Sequence, residues 1–400
     1  MTETVLHPAP PAPRHTVRVN AGAIATTIAC VLPVFLLGGL AVQMGEDLGF
    51  TPAGLGLAVS VYFGVSALAS VPSGALVERF GPAVVARAGI LLSAGSLLAV
   101  AGLARSYPVL VALLALSAAA NALGQLASNA ALARHVPAHR QGLSFGVKQA
   151  AIPISTLLAG AAVPTVALTA GWRWAFVVAA VAALAALPAV PPAERDRVRR
   201  ATGQAGRATT PLVVVGVAAT LAAAAANALG TFVVDSAAGR GLSPALAGLT
   251  LTLGSAVCVV ARVGAGWLAD RRETGHVALI AGMLVVGAVG LVLLAVAGPV
   301  PLVAGVVLGF GLGWAWPGLM NFAVVRLHPQ APAAATSITQ TGVYAGGCLG
   351  PLGLGTLADT AGYPTMWLVA ATAMLLAAAL MLLGARLLSR GPAPAISRCS

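Results

Sequence analysis

Two basic residues lie inside long apolar segments, where a charged side chain has few partners. Lys148 is the only lysine of the 400-residue chain, and Arg262 occurs in the run Ala261-Arg262-Val263-Gly264. Burying an unpaired charge in hydrocarbon costs at least about 2.5 kcal/mol, which suggests that the two charges have a purpose. One interpretation is a positive site for an anionic solute such as a carboxylate. The alternative is that both side chains extend to a nearby polar surface.

Uncharged polar and aromatic residues recur at helical spacing inside other apolar segments. They are Gln125 and Asn129 in the fourth segment, Asn227 in the seventh, Trp314 and Asn321 in the tenth, and Gln340 and Tyr344 in the eleventh. Residues four or seven apart share one face of a helix, and polar groups in membrane helices usually face a bundle interior or a wet cavity. These residues are therefore candidate substrate contacts. The alternative is hydrogen bonding between helices, worth on the order of 0.6 kcal/mol for each bond.

A proton-driven mechanism needs a group that changes its protonation inside such a cavity. The first six apolar segments contain no central carboxylate, and the six histidines lie in tails or at loop positions. Asp235, near the outer end of the seventh segment, is the remaining candidate, and the alternative is a solvated loop acid. The spacing of the four cysteines fits neither a metal site nor a disulfide framework. We expect no metal and no cofactor, and the absence of soluble-enzyme motifs argues against an enzyme.

The composition of the chain requires a membrane. Hydrophobic residues make up 59% and charged residues 8%, with a mean hydropathy of +0.94, whereas a soluble domain carries about 25% charged residues. A spanning helix needs about 20 apolar residues, and about twelve runs of that length occur, which predicts an all-α membrane protein. The predicted spans 1 to 12 cover residues 21–43, 53–77, 83–104, 108–134, 142–168, 172–190, 211–235, 245–269, 275–297, 301–326, 333–358 and 364–388.

The two halves of this series repeat each other in sequence. The turn after span 2 contains Gly74, Glu78 and Arg79, and the turn after span 8 contains Gly266, Asp270 and Arg271. The offset is 266 − 74 = 192 residues, and Asn129 and Asn321 recur at the same offset. A constant register over several blocks indicates two copies of one six-helix unit, which is typical of two-bundle transporters.

On these turns, and over nearly its whole length, the chain resembles the major facilitator superfamily of transporters. The corresponding loop of that family reads approximately Gly-x-x-x-Asp-Arg-x-Gly-Arg-Arg, and both turns fit it. In the first turn Glu78 occupies the position of the aspartate. The resemblance implies two pseudo-symmetric six-helix bundles, with spans 1, 4, 7 and 10 lining a central cavity. It also implies that the residues of the two turns hold the cytoplasmic side shut, each acid facing the positive N-terminus of a neighbouring helix. The alternative is a basic turn without a gating role.

The distribution of positive charge predicts the orientation in the membrane. An even number of spans places both termini on one side, and 18 of the 22 basic residues fall on that side, so the termini are expected to be cytoplasmic. The high ratio of arginine to lysine favours a bacterial gene and hence an inner-membrane location. The net charge of +12 then reflects topology, with no nucleic-acid partner. The predicted units are a disordered tail (1–20), an N-terminal bundle (21–190), a linker (191–210), a C-terminal bundle (211–388) and a second tail (389–400).

The function that these features predict is secondary transport by alternating access, with a bound small molecule and a coupling ion as partners. The first hypothesis is uptake of a small organic anion by a monomeric symporter in the lipid bilayer, with Lys148 and Arg262 supplying charge. The second is proton-coupled efflux of amphipathic drugs, although an arginine midway along span 4, which marks that branch of the family, is absent. The third is a membrane receptor or scaffold that does not transport.

Overall fold

The described part of the chain is helical throughout. The computed structural model describes residues 13–137, 141–192, 210–272, 274–327 and 332–389, which contain helices and turns but no strand. Eleven helical stretches there are long and apolar enough to cross a membrane, and the last, Thr339–Leu387, has 49 residues. A non-helical Gly362 with a φ of 82° divides that stretch into two, and each part is long enough for one crossing. The prediction of an all-α fold with twelve spans is confirmed.

Nine α-helices in the described residues form the first half. They are α1 Pro13–Gly39, α2 Ala41–Leu48, α3 Pro52–Phe80, α4 Pro82–Leu103, α5 Tyr107–His135, α6 Gln141–Gln149, α7 Ala151–Ala162, α8 Leu168–Ala170 and α9 Trp172–Ala185. Helices α1, α3, α4, α5 and α9 are spans 1, 2, 3, 4 and 6, and α6 to α8 together form span 5.

Six α-helices in the described residues form the second half. They are α10 Thr210–Ala238, α11 Pro244–Asp270, α12 His276–Ala295, α13 Pro299–Leu308, α14 Trp316–Leu327 and α15 Pro332–Ser389. Helices α10, α11 and α12 are spans 7 to 9, α13 and α14 form span 10, and α15 contains spans 11 and 12.

Spans 5 and 10 each contain a π-helical turn that the sequence analysis did not predict. The turns cover Val163–Ala167 and Gly309–Gly313. In the first, Pro164 has no N–H group with which to continue the α-helical ladder. In the second, glycines without side chains let the backbone of α12 come close to the turn. A Cβ at Gly290 of α12 would overlap the backbone nitrogen of Gly309. Such turns are frequent at functional sites.

The first helix begins earlier than the sequence indicates. Helix α1 starts at Pro13 and ends at Gly39, and a short α2 follows, whereas the prediction for span 1 was 21–43. Residues 1–12, 193–209 and 390–400 lie outside the described residues. The predicted disorder of the N-terminal tail, the linker and the C-terminal tail therefore stays a prediction.

The sequence repeat is also a repeat of local structure. Thr51 caps α3 by accepting a hydrogen bond from the backbone N–H of Gly54, and Ser243 caps α11 in the same way from Leu246, both at 3.5 Å. A proline follows each cap at the first helical position, where its missing N–H has no intrahelical partner to lose. Because the caps are 192 residues apart, the register seen in sequence marks equivalent helix starts.

The two halves meet closely at the end of the helices opposite the chain termini, which we call the far face. Gly38 near the end of α1 lies against Gly230 of α10, so closely that a Cβ at Gly38 would overlap the carbonyl oxygen of Gly230. These glycines are themselves 192 residues apart. Equivalent positions of the two halves therefore touch each other, as expected on a pseudo-two-fold axis.

Two further contacts flank this axis and are equivalent to each other. A Cβ at Gly56 of α3 would overlap the carbonyl oxygen of Pro351 of α15, and one at Gly160 of α7 would lie 2.7 Å from that of Gly248 of α11. Gly56 and Gly248 are 192 residues apart, and Gly160 and Pro351 are 191 apart. Small residues allow such backbone approach in membranes, and here they close the far face.

Candidate functional site

Lys148 lies in the first half, buried between spans 5 and 4. Its side chain is 1% exposed, and its Nζ donates hydrogen bonds to Gln125 Oε1 and to Asn129 Oδ1, the latter at 3.0 Å. Both acceptors are uncharged, and no carboxylate within the described ranges pairs with this ammonium. The structure thus brings together three predicted site residues, a cation and two neutral acceptors, and no counter-ion lies among the described residues around them.

Arg262 joins the two halves. Its guanidinium is 3% exposed, and it donates to the backbone carbonyl oxygens of Gln149 in span 5 at 2.5 Å and of Trp314 in span 10 at 2.8 Å. The side chain is therefore held inside the protein and does not extend to the membrane surface. Lys148 and Gln149 are neighbours in sequence, so the two buried cations lie at the same level of span 5.

Trp314 forms part of an aromatic contact between the halves. Its ring packs edge-on against Phe35 of span 1 at a centroid distance of 5.7 Å and against Phe310 of the π-helical turn at 5.5 Å. Trp314 is buried, and Asn321, two turns further along span 10, is half-buried. The ring of Trp314 therefore lies at the contact between spans 1 and 10.

We call the interface of spans 5 and 8 the first seam between the halves and the interface of spans 2 and 11 the second seam. The second seam carries an uncharged counterpart of the Arg262 contact. The hydroxyl of Tyr344 of span 11 lies near the side chains of Gln340 and of Ser70 of span 2. Ser70 is the repeat equivalent of Arg262, 192 residues before it, and Gln340 is that of Gln149, 191 residues after it. Equivalent positions therefore connect the two halves at both seams, but only the contact made by Arg262 is charged.

The two predicted residues of span 7, Asn227 and Asp235, have different partners. Asn227 donates to the carbonyl oxygen of Ala223, four residues back in its own helix, at 2.8 Å. Asp235 is half-buried and accepts a hydrogen bond from the hydroxyl of Tyr363 at the start of span 12. The carboxylate is therefore held within the second half, near the far face, and away from Lys148 and Arg262.

The two predicted gating turns lie at the end of the helices that carries the chain termini, which we call the terminus face. Glu78 and Arg79 are exposed, and the guanidinium of Arg271 stacks 3.7 Å from the ring of Trp267. A Cβ at Gly74 or at Gly266 would meet no atom within 4 Å. In this conformation the close approach of helices occurs at the far-face glycines and not at these two. Asp270 ends α11.

Sequence reasoning missed two buried polar residues, Gln149, whose carbonyl oxygen binds Arg262, and Trp316. Gln149 Oε1 and Trp316 Nε1 are buried polar atoms with no hydrogen-bond partner in the described part of the chain, and Arg262 Nε is a third. Most buried polar atoms have a partner, so such atoms need an explanation, and a bound solute or water would supply it. The sequence feature that could have identified Gln149 is its repeat match to Gln340. No sequence feature marks Trp316.

Two repeated six-helix halves with buried polar seams define a polytopic membrane protein of the two-bundle class. A family model described as Major Facilitator Superfamily matches residues 23–351 and 215–397, and the chain belongs to this family of transporters. The predicted family is therefore confirmed. The chain is also 29% identical over 365 residues to a chloramphenicol resistance protein of Streptomyces lividans, an alignment that covers 85% of this chain and 90% of the relative.

Proposed function

We propose that this protein is a secondary transporter that moves a small organic anion across the bacterial inner membrane by alternating access. The observation that carries the proposal is Lys148, buried against Gln125 and Asn129 with no carboxylate partner among the described residues. An ammonium held by neutral acceptors keeps its charge available for an anion, and charge-assisted hydrogen bonds are about twice as strong as neutral ones.

The contacts between the halves support alternating access around this site. The far face is closed by glycine contacts such as Gly38 with Gly230, and by a hydrogen bond at 3.3 Å from the hydroxyl of Thr51 to the carboxylate of Asp359. Towards the terminus face, Arg262 holds spans 5 and 10 together through two backbone carbonyls. Rocking of the halves would break one set of contacts while the other forms.

Orientation, gating and coupling complete the proposal. The positive-inside distribution favours a cytoplasmic location for both termini, so that the far face is periplasmic. The turns with Glu78 and Arg79 and with Asp270 and Arg271 would then act as gates on the cytoplasmic side. Asp235 is the candidate for proton coupling in a monomeric carrier.

The test is ligand-induced thermal stabilisation of the purified protein in detergent, with a panel of small carboxylates, neutral sugars and amphipathic cations. A ligand that binds only the folded state adds about 2.7 kcal/mol of stability at a concentration of one hundred times its Kd. We expect a carboxylate to stabilise the wild type and to have no effect on Lys148→Met. Because Lys148→Met removes a buried charge, the variant without ligand should be at least as stable as the wild type.

A matched control separates the charge of the site from its shape. Gln125→Glu adds no heavy atoms but supplies Lys148 with an internal carboxylate, so it should also abolish stabilisation by carboxylates. Gln43→Glu, the same change in α2 and outside the candidate site, should leave it intact. Binding of the same carboxylate to Lys148→Met and to Gln125→Glu would overturn the anion assignment.

A second candidate function is drug efflux, and the similarity to the chloramphenicol resistance protein favours it. The site would then bind an uncharged compound through acceptor groups that face Lys148. Expression of the protein in a sensitive host is expected to raise its tolerance to chloramphenicol at least severalfold, and Asp235→Asn to remove the gain if a proton drives export. The measurement is growth inhibition with an empty-vector control, and unchanged tolerance would leave the anion carrier as the proposal.

A further inference from the structure

A cavity of about 140 Å³ opens at the terminus face within the first half. Its walls come from α1, α4, α5, the end of α3 and the segment after α9, so it is separate from the seams between the halves. Arg79, Arg134 and His135 lie around it, together with the backbone of Gly81 and Pro82 at the start of α4. Apart from the proposed gating turn that contains Arg79, the proposed transport cycle does not use this cavity.

The polar part of this cavity is positively charged. Arg79 and Arg134 are exposed, and neither forms an ion pair within the described residues. Helix α4 begins at Pro82 with no side-chain cap, so the free amide groups of its first turn are directed toward the end of the helix that borders the cavity. Helix N-termini of this kind bind anions, and the two guanidinium groups carry donors with the geometry of phosphate recognition.

The deeper part of the cavity is mainly apolar, and its rim is fixed. Val19, Ala23, Ala86 and Ala127 form part of the lining, together with the buried hydroxyl-bearing residues Thr26 and Ser128. The guanidinium of Arg87 donates to the carbonyl oxygens of residues 190 and 191 at 3.3 and 3.1 Å, and this holds the segment after α9 in place along the rim. The cavity thus combines a cationic mouth with a mainly apolar floor, which fits a ligand that is charged at one end.

We propose that this cavity binds a phosphate group, and that its source is the headgroup of an acidic phospholipid. Basic pockets between membrane helices on the cytoplasmic side are suited to such headgroups. The mainly apolar floor accommodates hydrocarbon of the lipid, for which free inorganic phosphate has no counterpart. The same donors would also hold free phosphate, so the experiment includes it as a separate arm.

The second half supplies a matched control. Arg271 and Arg326 are the repeat equivalents of Arg79 and Arg134, 192 residues later. Arg271 stacks on Trp267 at 3.7 Å and Arg326 on Phe322 at 5.1 Å, as Arg79 stacks on Phe80 at 5.1 Å. A double variant at either pair removes two positive charges from equivalent loops.

The experiment measures lipids bound to the purified full chain by native mass spectrometry, with phosphatidylglycerol or phosphatidylcholine added at equal concentration. We expect retention of phosphatidylglycerol to exceed that of phosphatidylcholine at least fivefold, and to fall to the same level in Arg79→Gln/Arg134→Gln. Ala131→Leu, which fills the cavity without removing charge, should have the same effect. Arg271→Gln/Arg326→Gln should retain the preference.

Competition with inorganic phosphate tests whether the bound phosphate group belongs to a lipid or to free phosphate. Competition by millimolar phosphate, lost in Arg79→Gln/Arg134→Gln but kept in the control pair, would support the phosphate site and name free phosphate as its ligand. Equal loss of phosphatidylglycerol in both double variants, or retention in Ala131→Leu, would overturn the proposal, because the preference would then arise from general surface charge. Neither result depends on whether an organic anion is transported.

Discussion

Replacing Gly38 by leucine is expected to reduce transport at least tenfold. The side chain would occupy the position of the Gly230 carbonyl oxygen, and backbone of a packed helix cannot move aside as a flexible side chain does. Overpacking typically costs 1–3 kcal/mol or more, which changes the ratio of two conformations by about 5- to 150-fold. The far face would remain open and the cycle would stop.

A native cysteine, Cys348, can report whether the far face is open. Cys348 is half-buried in the seam of spans 2 and 11, with its Sγ 3.4 Å from Ser60 Oγ, whereas Cys30 and Cys258 are buried. In a Cys399→Ser background, Gly38→Leu should increase the rate at which a water-soluble maleimide labels Cys348. Gly95→Leu is the control, because a Cβ there meets no atom within 4 Å. Normal transport by Gly38→Leu would show that the glycine contact does not need to close.

The severity should differ between the two equivalent glycines. A Cβ at Gly230 would lie 2.8 Å from the ring of Trp314 and 3.3 Å from the ring of Phe35. Side chains can rotate away from such an overlap, at a cost in packing, whereas the carbonyl that opposes Gly38 cannot. We therefore expect Gly230→Leu to retain more transport than Gly38→Leu.

The twelve spans and their repeat could be predicted from sequence because both depend on patterns along the chain. The length of apolar runs identifies spanning helices, and the offset of 192 that relates Gly74 to Gly266 also relates Gly38 to Gly230. The close contact between Gly38 and Gly230 was not predicted, because it depends on how the two halves are placed in space. Nor were the π-helical turns, since Pro164 in a membrane helix is also compatible with a simple kink.

The partners of polar residues could be predicted only in part. Lys148, Gln125 and Asn129 were each predicted as site residues, but nothing in the sequence places Lys148 against the other two. Asn227 belongs to an equally regular stripe and yet bonds to a carbonyl of its own helix. A helix that is apolar on all sides has no marked inner face, so its rotation about its axis, and hence the direction of a polar side chain, is set by packing.

Replacing Arg262 by leucine is expected to open the terminus face and to reduce transport at least tenfold. Without the guanidinium, the carbonyl oxygens of Gln149 and Trp314 lose their side-chain donor, and a buried group that loses its partner costs about 1–3 kcal/mol. Opening hydrates both carbonyls and removes this cost, so the open conformation gains population. Arg262→Lys keeps the charge but not the fork of two donors, and should show the same direction of change with a smaller magnitude.

Labelling of Cys258 distinguishes a tie between the halves from a direct contact with the solute. Cys258 is buried one turn before Arg262 on the same helix. If Arg262 ties the halves together, Arg262→Leu should speed the labelling of Cys258 by a maleimide several-fold in the absence of any solute. Leucine at the exposed Arg272 is the control and should leave the rate unchanged. If the solute alone needs Arg262, its apparent affinity will fall while the labelling rate stays at the wild-type value, because an empty transporter then has no contact to lose.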